Sequence, residues 1–309
     1  MSTTPLVEMR RLRLDLETEA GTAHILRDVD LTVPRGATVG VVGESGSGKS
    51  MMLRCLLGVA PARSTITGSI GFDGEDLLAL TAERRRKLIG SRVGVVFQNP
   101  MTSLNPVVPV ARQMGEAVRF HQGFSKQKAR ALSIDLLGQV GIVNPERRID
   151  DYPHQFSGGM RQRVMIAMAL TGEPELLIAD EATTALDVTV QKSILDLLQR
   201  LQGERSMSLV LVSHNLGVVA GRADEVTVMY GGRVVESGPA RQIFENAAHP
   251  YTQALLRAIP RLDAVPKQPL PAMRGLPPSV YDPTLPPDEA DRRDLERWMS
   301  DQREDDDDN

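Results

Sequence analysis

The densest chemistry in the chain lies in eleven residues, Gly40 to Ser50, which read Gly-Val-Val-Gly-Glu-Ser-Gly-Ser-Gly-Lys-Ser. From Gly43 the run is Gly-x-x-x-x-Gly-Lys-Ser, the pattern of a phosphate-cradling loop. Glycines at 43, 46 and 48 let backbone N–H groups curl around an anion without Cβ clashes. Lys49 suits the β- and γ-phosphates of a nucleotide, and the Ser50 hydroxyl suits Mg²⁺.

Three more polar groups follow short apolar runs. Gln98 follows Val93–Phe97, Asp180-Glu181 follow Leu176–Ala179, and Ser213-His214 follow Leu209–Val212. Such runs read as buried strands. Parallel α/β sheets bind ligands beyond the carboxyl ends of their strands, so these groups should converge on the loop. Asp180 suits Mg²⁺ or its water. Glu181 suits a general base, a role contributing about 10²–10⁴-fold in rate. His214 suits the γ-phosphate or the attacking water, and Gln98 suits the metal or that water. Each also has a plainer reading: a helix cap for Asp180-Glu181, a structural histidine, a loop-capping amide. Ser157-Gly158-Gly159 opens another helix, with Ser157 as its N-cap, and so marks a second anion site. One nucleotide domain rarely needs two. A head-to-tail dimer, each nucleotide held between the loop of one subunit and the Ser-Gly-Gly of the other, would use both.

These groups need strands and helices to hold them. Ala37–Val42 reads as the strand before the loop, and Met51–Leu57 as a helix with no breaker until Gly58. The helix start adds roughly half a positive charge. Arg11–Leu16 and Val29–Val33 alternate as half-solvated strands, and Ser69–Gly74 reads as a strand and turn. Residues 110–141 are helical in pattern. Val226–Tyr230, Gly231-Gly232 and Arg233–Glu236 read as a hairpin. Arg84–Lys87 reads as a solvated helix face, with an acidic partner as the minor alternative. Strands alternating with helices predict a mainly parallel, helix-covered sheet with antiparallel edges.

At 309 residues, with 41 % hydrophobic and 25 % charged residues, about two domains are expected. No apolar stretch reaches the ~18 residues of a membrane span. The N-terminus has no basic-then-apolar export segment, so a cytoplasmic protein is expected. A single cysteine, Cys55, excludes an internal disulfide and should pack as a small hydrophobe. The net charge is −4, yet Asp288 onward holds eleven acidic and four basic residues, leaving +3 for the rest. That is no nucleic-acid footprint. Nine of the twenty prolines lie from Pro260 to Pro287, so this stretch reads as a linker or wrapping segment.

The chain resembles ATP-binding-cassette ATPase subunits. Gly43–Ser50 is similar to their Walker A, Gln98 to their Q-loop, and Phe156–Gln162 to their signature. Leu176–Asp180 with Glu181 is similar to Walker B and its glutamate, Ala185-Leu186-Asp187 to the D-loop, and His214 to the switch histidine. All six stand in the family's order across residues 5–240. More closely, Phe97–Pro106, Tyr152–Leu170, Thr183–Gln191 and His249–Leu256 resemble one of the two paralogous ATPases of oligopeptide/dipeptide importers.

The resemblance implies an α/β P-loop NTPase (RecA-like) core, a mainly parallel sheet, an antiparallel β edge subdomain and a helical insertion subdomain. Its expected domains are a discontinuous core (1–98 and 156–240), a helical subdomain (99–155) and a C-terminal extension (241–309). It implies ATP held by Gly43, Glu44, Ser45, Gly46, Ser47, Gly48, Lys49, Ser50, Met51 and Gln98. Ser157, Gly158, Gly159, Gln162 and Asp187 are implied to contact nucleotide from the facing subunit. Ser50, Gln98 and Asp180 are implied to hold Mg²⁺, with Glu181, His214 and Lys49 catalytic.

Implied partners are a second ATPase paralogue, two transmembrane permease subunits and a substrate-binding protein, at the cytoplasmic face of the membrane, with no nucleic acid. Alternatives are an importer of nickel or glutathione, or more remotely a non-transport cassette acting on nucleic acid or ribosomes. Four departures stand out. Ala182 replaces the usual Pro, and Asn215 the usual Asp. Residues 260–309 lack the cysteines of the iron–sulfur element many members carry, so no cluster is expected. The aromatic expected to stack on adenine near residues 20–25 is also missing; His24 is the one candidate there.

Overall fold

The computed structural model describes residues 4–97, 103–183, 186–259 and 279–281. The first half of the chain forms β1 (Val7–Thr18), β2 (Gly21–Val33), β3 (Thr38–Val42), α1 (Lys49–Leu57), β4 (Ser64–Phe72), β5 (Glu75–Asp76), α2 (Ala82–Arg92), β6 (Val93–Val96), α3 (Val110–Gln122), α4 (Lys126–Gln139) and α5 (Pro145–Arg148). The second half forms α6 (Gly158–Ala169), β7 (Leu176–Asp180), α7 (Val188–Arg205), β8 (Ser208–Ser213), α8 (Leu216–Val219), β9 (Glu225–Tyr230), β10 (Arg233–Pro239), α9 (Ala240–Glu245) and α10 (Pro250–Arg257). These elements fall into two compact units. One comprises residues 1–7, 32–40 and 71–213; the other comprises 8–31, 41–70 and 214–309.

The first unit is organised on neighbouring strands in the order β3-β8-β7-β6, of which β6, β7 and β8 run parallel. Val96 lies opposite Ala179, and Ala179 opposite Leu211, so β6, β7 and β8 end level with one another. Their side chains are almost all buried, which explains why they read as unbroken apolar runs. Val164, Ile166 and Ala167 of α6 and Ile194, Leu198 and Leu201 of α7 bury the helix faces. The stretch 110–141, helical in pattern, holds two helices. Gly123, at φ 64°, closes α3 by donating to the Arg119 carbonyl, and Ser125 caps α4 by accepting from the Lys128 N–H. Arg84, Arg86 and Lys87 are exposed on α2, as a solvated face requires.

At the N-terminal end of β7, Arg92 donates to Glu175 through Nε (2.5 Å) and Nη2 (2.7 Å), and to Asp73 through Nη2 (2.6 Å). Arg35 bridges the same two carboxylates. Hydrogen bonds from Arg92 hold both the Asp73 and Glu175 carboxyls below their ordinary range.

The second unit contains antiparallel β9 and β10, joined by Gly231-Gly232 as the hairpin signal predicts, with Arg233 opposite Tyr230. Both glycines have positive φ (54° and 81°), which suits a tight turn. β2, β1 and β4 lie side by side in that order. Along β1 the buried positions change parity, from Met9 to Leu12 and Leu14. Arg11 sits between them at φ 43°. Its N–H donates to Asp30 Oδ1 (2.7 Å), and the kink returns Leu12 to the inner face. Cys55 is fully buried on α1, as expected. Among the described residues, no helix is long and apolar enough to cross a membrane.

Candidate functional site

The Gly-rich loop joins β3 to α1 in the second unit, and its three glycines are needed for three different reasons. Gly43 has φ 154°, and a Cβ there would run into the Met229 carbonyl of β9. Gly48 has φ 100°, and its Cβ would meet Leu26 Cδ2 at 2.9 Å. Gly46 has φ 85° with open space around it, so only its backbone conformation demands glycine. The Ser47 N–H donates to the Glu44 carbonyl (3.2 Å) and the Gly232 N–H to the Ser47 carbonyl (3.2 Å), which closes the loop onto the β9–β10 turn.

Lys49 is 4 % exposed. Its Nζ donates to the Gly43 and Glu44 carbonyls, both at 2.6 Å, and to Ser47 Oγ at 3.3 Å. The ammonium is therefore held over the hollow of the loop. Gly48 opens α1 with no side-chain cap, whereas α6 and α7 are capped by Ser157 and Asp187. An uncapped helix start beside a buried ammonium is an anion site by charge and by donor geometry. Glu44, Ser45, Gly46 and Ser50 are exposed along its rim.

In the first unit, Asp180 ends β7 and is half-buried. The Glu181 N–H donates to the Val212 carbonyl (3.0 Å), and Glu181 itself has φ 47°. A left-handed non-glycine residue is strained by about 1–3 kcal/mol and clusters at functional positions. Here it turns the chain directly after Asp180. In the second unit, His214 is the residue after β8 and is exposed. Next to it, Asn215 Oδ1 accepts from the Gly217 N–H (2.8 Å), an acceptor role that an aspartate would also fill. Gln98 and Ala185 lie outside the described residues.

The Ser-Gly-Gly start of α6 divides into separate roles. Ser157 Oγ accepts from the Met160 N–H (3.3 Å), confirming the N-cap. Gly158 is exposed, but a Cβ on Gly159 would stand 2.7 Å from Val190 Cγ1. Gly159 is thus required for the close approach of α6 to α7. Asp187 Oδ1 caps α7 by accepting from the Val190 N–H (3.0 Å). Gln162 is fully buried, and among the described residues neither amide atom has a hydrogen-bond partner. The helical period sets it on one stripe with Gly158, four residues before it, and with buried Met165 and Ile166 after it.

Sequence reasoning gave no role to Tyr251. Its hydroxyl accepts from the Glu44 N–H at 2.9 Å, and its ring lies 4.5 Å from that of Tyr230. Burial, opposed only partly by that bond, pushes its phenol pKa up. Glu236 orients the segment before it, accepting from the Ala248 (2.7 Å) and His249 (3.1 Å) N–H groups. His249 Nδ1 then caps α10. His24 Nδ1 lies 2.6 Å from Asp15 Oδ1, so its ring is engaged with that carboxylate.

Residues 26–184 match the family described as ABC transporter, and residues 235–284 match the oligopeptide/dipeptide transporter C-terminal region. A peptide import ATP-binding protein of Brucella abortus (strain 2308) is 48 % identical over 264 residues, 85 % of this chain and 80 % of that protein. One from Brucella melitensis is 49 % identical over 269 residues, with the same coverage. A dimeric ATP-binding cassette solved in a post-hydrolysis state with ADP and Pi has TM-score 0.67 and 27 % identity, covering 76 % of this chain and 99 % of its own. A Clostridium perfringens chain from an ABC transporter complex has TM-score 0.67 and 28 % identity, covering 78 % and 91 %.

Proposed function

The chain belongs to the ABC transporter family, and from that premise we propose that it is the ATP-hydrolysing subunit of an oligopeptide/dipeptide importer. One observation carries this reading: the phosphate loop, with Lys49 seated in it, is hydrogen-bonded through Glu44 to Tyr251. Tyr251 belongs to the region that matches the oligopeptide/dipeptide transporter C-terminus.

Lys49 exchanges its carbonyl partners for the β- and γ-phosphate oxygens of ATP, and the α1 amides hold the same phosphates. Ser50 and Asp180 offer the hydroxyl and carboxylate oxygens that hard cations prefer, and we assign them, with Gln98, to Mg²⁺. Mg²⁺, when bound, neutralises charge on the phosphate oxygens. Glu181 takes a proton from the attacking water, and His214 orients that water or the γ-phosphate. Ser157 and Gly158 of a facing cassette complete the phosphate shell, and Asp187 lines the same junction.

The facing cassette is a paralogue, and the pair works peripherally at the cytoplasmic face of the membrane beneath two permease subunits served by a substrate-binding protein. Residues 99–155 form the helical subdomain that carries motion to the permeases, on a core of 1–98 and 156–240. Residues 241–309 form the C-terminal extension. The test is co-purification: full-length chain carrying Glu181→Gln, expressed in its own host and extracted from membranes with ATP and Mg²⁺. Two polytopic proteins and a second cassette ATPase are expected. A soluble homodimer, or a complex with ribosomes or DNA, overturns the transport reading.

A further inference from the structure

Ser279, Val280 and Tyr281 come from the Pro-rich stretch near the C-terminus, yet they are fixed on β2 and on the β1–β2 turn. The His24 N–H donates to the Val280 carbonyl (2.7 Å), and Arg27 Nη2 donates to the Ser279 carbonyl (2.8 Å). The Tyr281 N–H donates to Ser279 Oγ (3.3 Å), and the Tyr281 hydroxyl lies 3.5 Å from Thr18 Oγ1. These contacts hold the segment against an edge of the protein that has backbone groups to offer.

The segment also faces the phosphate loop. Val280, Ile25 and Tyr230 wall a cleft of about 110 Å³ whose other sides are residues 44–47 of the loop and the Gly231-Gly232 turn. A nucleotide whose phosphates lie in the loop must place its base somewhere along this rim. A purine is flat, and its faces gain most from aromatic and aliphatic surfaces. The β1–β2 turn supplies none, because Glu19-Ala20-Gly21 has no aromatic side chain. His24 is taken up by Asp15. Val280 and Tyr281 are 38 % and 46 % exposed, so surface of both side chains is open to a ligand.

We propose that the Ser279–Tyr281 segment forms one wall of the nucleotide's base-binding site, with Tyr281 supplying the aromatic surface that the β1–β2 turn lacks and Val280 the aliphatic one. The proposal rests on the reading that the Gly43–Ser50 loop binds ATP. It gives the C-terminal stretch a direct part in nucleotide affinity, and a preference for a purine base over bare polyphosphate.

The test measures equilibrium binding of ATP and of inorganic tripolyphosphate, each with Mg²⁺, to the full chain and to Tyr281→Ala, Tyr281→Phe and Val280→Ser. Tyr281→Ala should weaken ATP binding between several-fold and roughly a hundredfold, the span of base–aromatic contacts. Tyr281→Phe should keep most of the affinity, Val280→Ser should fall between, and tripolyphosphate binding should not change in any of them. Unchanged ATP affinity in Tyr281→Ala and Val280→Ser overturns the proposal while leaving the ATPase reading intact. Equal losses for ATP and tripolyphosphate also overturn it, since the segment would then act on the loop or the fold. If the unaltered chain binds neither ligand, the ATPase reading itself fails.

Discussion

The Tyr251 hydroxyl accepts a hydrogen bond from the Glu44 backbone N–H at 2.9 Å, across 207 positions of sequence. The phosphate loop is therefore braced by α10, which is itself oriented by Glu236 and capped by His249. Tyr251→Phe removes the acceptor and keeps the ring. A lost hydrogen bond of this kind costs about 1 kcal/mol, more where the donor cannot reach water. Because the donor is on the loop, the KM for ATP should rise several-fold while the fold persists. Thermal unfolding and steady-state ATPase assays read both effects; unchanged KM would confine Tyr251 to packing.

The loop glycines make a sharper contrast. Gly43→Ala forces a Cβ into the Met229 carbonyl at a backbone conformation essentially reserved for glycine. It should abolish nucleotide binding or prevent folding. Gly46→Ala meets nothing within 4 Å and bears only the left-handed strain, about 1–2 kcal/mol. It should fold and bind ATP with modest loss. Nucleotide titration of the two variants side by side checks the difference, and equal damage from both would contradict it.

Glu181→Gln keeps the size of the side chain and removes its proton-accepting charge. Loss of a general base should lower turnover about 10²–10⁴-fold with ATP binding retained. Single-turnover hydrolysis separates the two. Wild-type turnover would move the base elsewhere.

Much of this site was legible because its signals are local. The Gly-x-x-x-x-Gly-Lys-Ser run, the apolar strands ending in Asp180 and His214, and the Ser157 cap each depend on a few adjacent residues. Gly123 is not legible as a breaker from the helical pattern of 110–141 alone, since a lone glycine is tolerated inside a helix. The Arg11 kink left no trace, since Leu12 and Leu14 alternate normally after it. Tyr251 and Val280 could not be read at all. Their roles depend on where chain far from the loop in sequence folds back, and no periodicity encodes that.

The Arg92 cluster makes stability depend on pH. Asp73 and Glu175 have pKa values below their ordinary 3.8 and 4.5, chiefly through hydrogen bonds from Arg92. A carboxyl depressed in the folded state contributes stability that is complete above its unfolded pKa and is lost as pH falls through its folded one. The contribution should therefore be full above about pH 5 and fade below about pH 4. Both carboxylates are more than a third exposed, so solvent screening keeps it small. Denaturant unfolding of Arg92→Met should show a deficit at pH 7 that shrinks by pH 3. A deficit independent of pH would assign Arg92 to packing over the Phe72 ring instead.

Gln162 separates two roles for the signature helix. Its amide is fully buried, and among the described residues neither atom is hydrogen-bonded, an arrangement that costs about 1–3 kcal/mol for each polar group left unmet. Met has nearly the same shape and no such demand. If Gln162 is only a core residue, Gln162→Met should raise stability by about 1–2 kcal/mol and leave ATPase activity unchanged. If its amide serves a nucleotide held by a facing cassette, α6 must turn to expose it on closure. The same variant would then be more stable but slower, with ATP-driven dimerisation weakened. Unfolding curves and dimerisation assays on one protein distinguish these outcomes, because a residue that is costly in the resting state and needed in the closed one moves the two readouts in opposite directions.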